Sequence, residues 1–253
     1  MPSRLTRSAI AALLLLGAHP ALAQSFSPVQ RQEMGQIIKE YLLQNPEVLQ
    51  DALNELQRRS AEAEKASQVA AIRELRDELT KPAPGTVVGN PAGDVTLVEF
   101  FDYNCPYCKQ SLGDLQALAK GDPKLRIVIK DFPVLGPDSL EASRVALAAK
   151  QQLSGDKLFD FHARLLGTRG RINGDRALAL AKEMSLDLPR LQRDMAGPEV
   201  KAALDGNRKL GERLGINGTP AYVLGDEVVA GAVGLAPLRE AVAGIRKCGQ
   251  PTC

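Results

Sequence analysis

Two cysteines, Cys105 and Cys108, stand with two residues between them in "VEFFDYNCPYC", directly after an apolar run that carries a carboxylate at Glu99. Sulfurs at this spacing suit a redox centre, half of a metal site or a small structural disulfide. Zinc takes four ligands, and the other candidates, Cys248, Cys253 and His162, supply no second tight knuckle. An inert disulfide closing so short a loop adds little stability through chain entropy. Reversible exchange between dithiol and disulfide is the chemistry the pair fits best, and no metal or cofactor is expected.

The flanking residues say how the sulfurs are held. Val95 to Tyr103 reads as a buried strand and Pro106 to Lys120 as a helix, so Cys105 falls at the junction with Pro106 in the first turn. Unpaired amide N–H groups and the helix dipole then face the Cys105 sulfur and favour its thiolate, making it the attacking group. Cys108, almost a turn further on, is placed to attack the mixed disulfide and release the substrate. "LRIVIKDF" (125–132) reads as a second strand, which makes a parallel strand, helix, strand unit. Residues 137–214 are continuously helix-like. "PAYVLG" and "EVVAGAV" form an antiparallel pair if Gly225-Asp226 makes the turn, and "LAPLREAVAGIRK" is a last helix.

Upstream, residues 1–23 have the pattern of a cleaved secretory signal: Arg4 and Arg7, an apolar core from Ala9 to Leu16, then Ala21-Leu22-Ala23. Export implies an oxidising compartment, the periplasm, in which all four cysteines have disulfide chemistry open to them. Removing that leader takes away two arginines and leaves as many basic as acidic residues, 30 of each. A near-neutral chain has no electrostatic case for nucleic acid as a partner.

Residues 24–81 form an N-terminal helical region. Asn45 is expected to cap a helix whose first position is Pro46. Val48, Leu49, Leu53 and Leu56 make one apolar stripe, and Val69, Ile72, Leu75 and Leu79 a second, with the polar "RRSAEAEKASQ" between them. A helix from Pro46 to Thr80 would run to about 50 Å, more than one small domain can cover. Residues 28–80 therefore read as an oligomerisation stalk, with an arm folded back on its own domain as the alternative. Residues 82–94 hold a Pro- and Gly-rich linker and the first strand, 95–247 the catalytic domain, and 248–253 a tail.

"FFDYNCPYC" followed downstream by "GINGTPAYVLG" resembles the DsbA-type thiol oxidoreductases, an α/β thioredoxin-like fold with an inserted helical domain, here about 137–214. The resemblance covers residues 87–246. It implies a redox disulfide between Cys105 and Cys108, and a cis Pro220 facing the pair, with Thr219 offering backbone groups to an extended substrate. It also puts Pro106 and Tyr107 at the substrate face. By the same resemblance Glu99 lies beneath the cysteines with Lys130 on the neighbouring strand, the two managing the proton of Cys108; a merely structural ion pair is the alternative. His162 is expected to serve helix packing or the surface. Cys248 and Cys253, in "KCGQPTC", favour a local disulfide because Gly249 and Pro251 permit a turn.

"IIKEYLLQNPEVLQDALNEL" ahead of such a domain resembles the stalked, ScsC-type members, whose stalks make dimers or trimers. The expectation is therefore a homo-oligomeric disulfide isomerase or reductase acting on cysteine-containing exported clients, reset by a membrane redox partner. A monomeric dithiol oxidase and a non-enzymatic, chaperone-like exported module stand as the alternatives.

Overall fold

The computed structural model describes residues 26–80 and 87–253. The expected leader, 1–23, and most of the proline-rich part of the expected linker lie outside the described residues. Contacts divide the chain into two units after Arg59.

The first unit is helical. Helix α1 (Pro28–Gln44) starts at a capping box, Ser27 and Gln30 each bonding the other's backbone N–H, with Pro28 in the first turn where its missing donor is harmless. Its expected successor, α2 (Glu47–Glu74), follows across Asn45-Pro46. Here the structure corrects the expected cap: the Asn45 amide turns back and donates to the Tyr41 carbonyl at 2.8 Å, closing α1 instead of opening α2. Helix α1 has no buried residue, and Ile37, Ile38, Tyr41, Leu43, Leu49, Leu53 and Leu56 are all exposed.

The second unit, Ser60–Cys253, takes in the rest of α2, then α3 (Arg76–Thr80). Ala71, Ile72, Leu75 and Leu79 are buried against Val98, Phe100, Val128, Phe132, Leu210 and Val223. Polar ties flank this contact: the Gln68 amide donates to the Leu214 carbonyl at 2.9 Å, and Arg73 and Arg76 both pair with Asp226. The second apolar stripe thus belongs to the catalytic unit. The boundary expected at residues 81–82 falls at Arg59–Ser60, because Ile72 and Leu79 find their partners on the sheet.

Next come β1 (Val87–Gly89), β2 (Val95–Phe101), α4 (Pro106–Gly121) and β3 (Leu125–Asp131). The helical insertion is α5 (Pro137–Ala149), α6 (Gly155–Leu166), α7 (Gly174–Glu183), α8 (Leu188–Met195) and α9 (Pro198–Arg213). Strands β4 (Ala221–Leu224) and β5 (Glu227–Ala230) and helix α10 (Leu235–Cys248) complete the unit.

The sheet order is β1-β3-β2-β4-β5, with β2 and β3 parallel and the other pairs antiparallel. Gly225 takes φ +58° in the two-residue turn between β4 and β5, a conformation that favours glycine. Six of the seven residues of β2 are buried, because helices cover both faces. Side chains of Leu97 and Phe101 join the core shared with α4 and the insertion, while Val98 and Phe100 join the core under α2, α3 and α9. The last of these helices comes very close: a Cβ at Gly211 would sit 2.5 Å from the Phe132 ring.

Candidate active site

Strand β2 ends at Phe101, and four residues turn the chain into α4. Asp102 makes that turn. One carboxylate oxygen accepts the Asn104 N–H at 2.7 Å; the other accepts the Val134 and Leu135 N–H groups at 2.9 and 3.0 Å, and the Asp102 carbonyl accepts the Cys105 N–H at 3.0 Å. Asn104 ties the turn to the insertion, donating to Ser139 Oγ and the Ile172 carbonyl and accepting the Ile172 N–H. The Lys109 ammonium adds bonds to the Thr168 and Gly170 carbonyls at 2.8 and 2.7 Å. Two side chains flanking the cysteines thus fix the inserted helices to the sulfur-bearing turn.

Cys105 is the N-cap residue of α4 and Pro106 occupies its first turn. Both cysteines are free thiols, Cys105 5% and Cys108 0% exposed, whereas Pro106 and Tyr107 between them face outward. The Cys105 sulfur does not cap the helix; it donates to the Thr219 carbonyl at 3.0 Å. The Thr219-Pro220 bond is cis, and the Pro220 carbonyl is taken by the Gly231 N–H at 2.8 Å. Residues more than a hundred positions apart therefore meet at one sulfur.

Glu99 lies under this arrangement, 1% exposed. Burial pushes its carboxyl up to about 8, opposed by a hydrogen bond from Tyr222, the residue directly across from it on β4. Burial also pushes the Cys108 thiol far up; the Asp102 backbone and the Thr219 side chain oppose that, and the charges of Glu99 and Cys105 add to it. A buried, hard-to-ionise thiol beside a buried carboxyl is an arrangement that can pass a proton between them.

The structure does not bring Lys130 to this site. Lys130 pairs in register with Phe100, and Glu99 with Ile129, so the lysine and the glutamate leave opposite faces of the sheet. The Lys130 ammonium donates to the Glu78 carbonyl at 2.9 Å, and burial lowers it to about 8, with Lys150 adding to the effect. The lysine on the Glu99 face is Lys150, in a buried ion pair with Asp131 at 2.6 Å.

His162 is a core residue, 1% exposed, edge-on to the Phe101 ring at 4.6 Å and 3.4 Å from the Tyr103 hydroxyl. Burial first, and Lys150 next, lower its pKa to about 3, which keeps the ring neutral. The structure joins Cys248 to Cys253, with Cα atoms 6.2 Å apart, at the end of α10.

Sequence reasoning passed over Asp102, Asn104 and Tyr222. An Asp followed two residues later by Asn, just ahead of the first cysteine, carries the signal of a side-chain-bonded turn. Nothing local marks Tyr222, whose partner comes from a strand over a hundred residues upstream.

Residues 96–243 match the family model described as the DSBA-like thioredoxin domain, and residues 30–63 match the copper resistance protein ScsC N-terminal domain. A thioredoxin-like oxidoreductase from Silicibacter pomeroyi is 45% identical, with a TM-score of 0.65 over 68% of this chain and 98% of that one. ScsC of Proteus mirabilis in a transitional conformation is 28% identical, with a TM-score of 0.60 over 85% of this chain and 94% of that one. Among curated proteins, the match to the Na(+)/H(+) antiporter NhaA 1 of Salinispora arenicola is 25% identical over 62% of this chain but spans only 24% of the antiporter. No helix among the described residues is long and apolar enough to cross a membrane. With its vicinal cysteines at a helix start facing a cis proline, the chain belongs to the DsbA-like thioredoxin family of thiol-disulfide oxidoreductases.

Proposed function

We propose that this protein is an exported, periplasmic, homo-oligomeric disulfide isomerase or reductase for cysteine-containing protein clients. The observation that carries the oligomeric reading is the run of exposed apolar side chains on α1 and the first half of α2, in a region similar to the ScsC N-terminal domain. Stripes of Ile, Leu, Val and Tyr left in water on a helix are the usual mark of a surface meant for a partner. Several catalytic units on one assembly hold a misfolded client at more than one point and raise the effective concentration at the second contact.

The chemistry runs in two steps. The Cys105 thiolate attacks a client disulfide; a Cys105–client bond forms and the other client sulfur leaves as a thiolate. In isomerisation, a different client thiolate then attacks the client's own sulfur and Cys105 returns unchanged. In reduction, Cys108 attacks Cys105, the client leaves with two thiols, and the new Cys105–Cys108 disulfide is reduced by a membrane redox partner. Glu99 receives the Cys108 proton. The Thr219 carbonyl and Pro220 line the client strand, with Pro106 and Tyr107 beside it.

Light scattering and refolding of scrambled ribonuclease test the reading. The full-length mature protein should be an oligomer that reactivates ribonuclease; removing residues 24–59, which spares the stripe packed on the sheet, should leave a monomer that still reduces insulin but has lost most of the reactivation. Cys105→Ser should abolish both activities. A monomeric full-length protein sinks the oligomeric reading in favour of a monomeric oxidase, and activity independent of Cys105 sinks the enzymatic one.

A further inference from the structure

Glu99 is a buried carboxyl with no countercharge among the described residues. Lys130 lies on the other face of the sheet, Lys150 is held by Asp131, and Oε2 of Glu99 meets no partner among the described residues. What the strand register puts opposite it is Tyr222, 1% exposed, whose phenol hydrogen-bonds the carboxyl. The same hydroxyl has a second contact, with Ser111 of α4. Ser111 is three residues beyond Cys108 and donates to the Cys108 carbonyl at 3.2 Å. One phenol therefore stands between the buried carboxyl and the helical turn that carries the buried sulfur.

Packing alone does not require that hydroxyl. Tyr222 belongs to the same apolar core as Phe101, Leu115, Ile129 and Phe161, where a phenylalanine ring would fill the same volume. A buried hydroxyl costs free energy unless it is compensated, and the polar groups that act on this phenol are the Glu99 carboxyl and the Ser111 hydroxyl.

We infer that Tyr222 is a positioning residue for thiol exchange: its hydroxyl favours the charged form of the Glu99 carboxyl against the effect of burial, and so sets the pH range over which Cys108 can attack the mixed disulfide. The inference rests on the reading of Glu99 as the acceptor of the Cys108 proton. In that step the Cys108 S–H bond breaks and its proton goes to Glu99. The Cys108 sulfur bonds to Cys105, the Cys105–client bond breaks, and its electron pair leaves on the client thiolate. The cysteine pair is oxidised and the client reduced.

A donor bonded to a carboxylate favours the ionised form, so removing the hydroxyl raises the pH at which Glu99 ionises. The other charged and titratable groups around this centre are Cys105 and Asp114 on α4, Asp102 and Tyr103 in the preceding turn, Asp131 with Lys150 at the end of β3, and His162 on α6. Among these neighbours, Tyr222 is the one that favours the charged form of the Glu99 carboxyl.

The test loads the full-length protein with glutathione on Cys105 and follows the Cys108-driven release of that thiol by stopped flow across pH. Tyr222→Phe should move the midpoint of the rate profile up by about one pH unit and slow release several-fold at neutral pH, with no further change when combined with Glu99→Gln. Fluorotyrosine placed at position 222 keeps the ring and strengthens the donor, so the midpoint should move down; this arm decides the matter if Tyr222→Phe does not fold. An unmoved midpoint in the fluorotyrosine protein, or an equal Tyr222→Phe shift with and without Glu99→Gln, overturns the inference. A Glu99→Gln profile identical to the parent instead overturns the proton-acceptor reading of Glu99 itself.

Discussion

Each face of the central sheet buries an ionisable side chain outside any ion pair among the described residues, Glu99 on one and Lys130 on the other, and the two are treated in opposite ways. On the face toward α4, Glu99 has a raised pKa, no cation among the described residues and a phenol across from it on β4. On the face toward α3, Lys130 has a lowered pKa and gives its proton-bearing nitrogen to the Glu78 carbonyl. At Lys130 a buried donor meets a backbone acceptor and nothing nearby reacts. Around Glu99 an unpaired carboxylate oxygen is left next to a sulfur that must lose a proton. Incomplete satisfaction of a buried polar group is expensive, and at Glu99 that cost falls beside the reacting atoms.

Three substitutions break or sharpen that contrast. The largest effect belongs to Glu99→Gln at alkaline pH. Burial pushes the native carboxyl up to about 8 from an ordinary 4.5, so its contribution to stability is fully present below the lower value and lost as pH rises through the upper one. The variant should therefore gain on the order of 4 kcal/mol over the parent at alkaline pH and little in acid, measured by urea unfolding at both extremes. An equal gain at both would mean that the carboxyl is not the titrating group. Next comes Leu79→Ala on the opposite face, buried at 1% exposure. It should cost about 3 kcal/mol by urea midpoint while leaving the exchange rate of the folded protein unchanged; a slowed rate would show that the two faces are coupled. The smallest effect is that of Lys130→Met. Burial lowers Lys130 to about 8 from an ordinary 10.5, so its stability is present above the higher value and lost as pH falls through the lower. Set against the lost bond to Glu78, the variant should gain about 1–2 kcal/mol near neutral pH, and that gain should vanish in strong alkali. Altered pH dependence of exchange in this variant would return Lys130 to the active site.

Much of this was legible in the sequence, for physical reasons. Pro106 after Cys105 marks a helix start, so the strand, the sulfur and the helix could be ordered without coordinates, and the Gly225-Asp226 turn announced the β4-β5 hairpin. The placement of Lys130 was not legible, because both faces of β2 and β3 are buried and their apolar runs show no alternation from which to count faces. Only the pairing of Glu99 with Ile129 reveals that the lysine points the other way. The end of the stalk was hidden similarly: Val48 and Leu53 resemble Ile72 and Leu79 as helical stripes, and only the second set meets the sheet.

The bond from the Cys105 sulfur to the Thr219 carbonyl makes a latch. A thiol donates to that oxygen, whereas a thiolate has no proton to give and is repelled by it. On the proposed reading, in which the Thr219 carbonyl receives the backbone of a client, losing the proton would both activate the sulfur and free that oxygen. The same oxygen thus serves the resting thiol in this structure and the client in the proposed function.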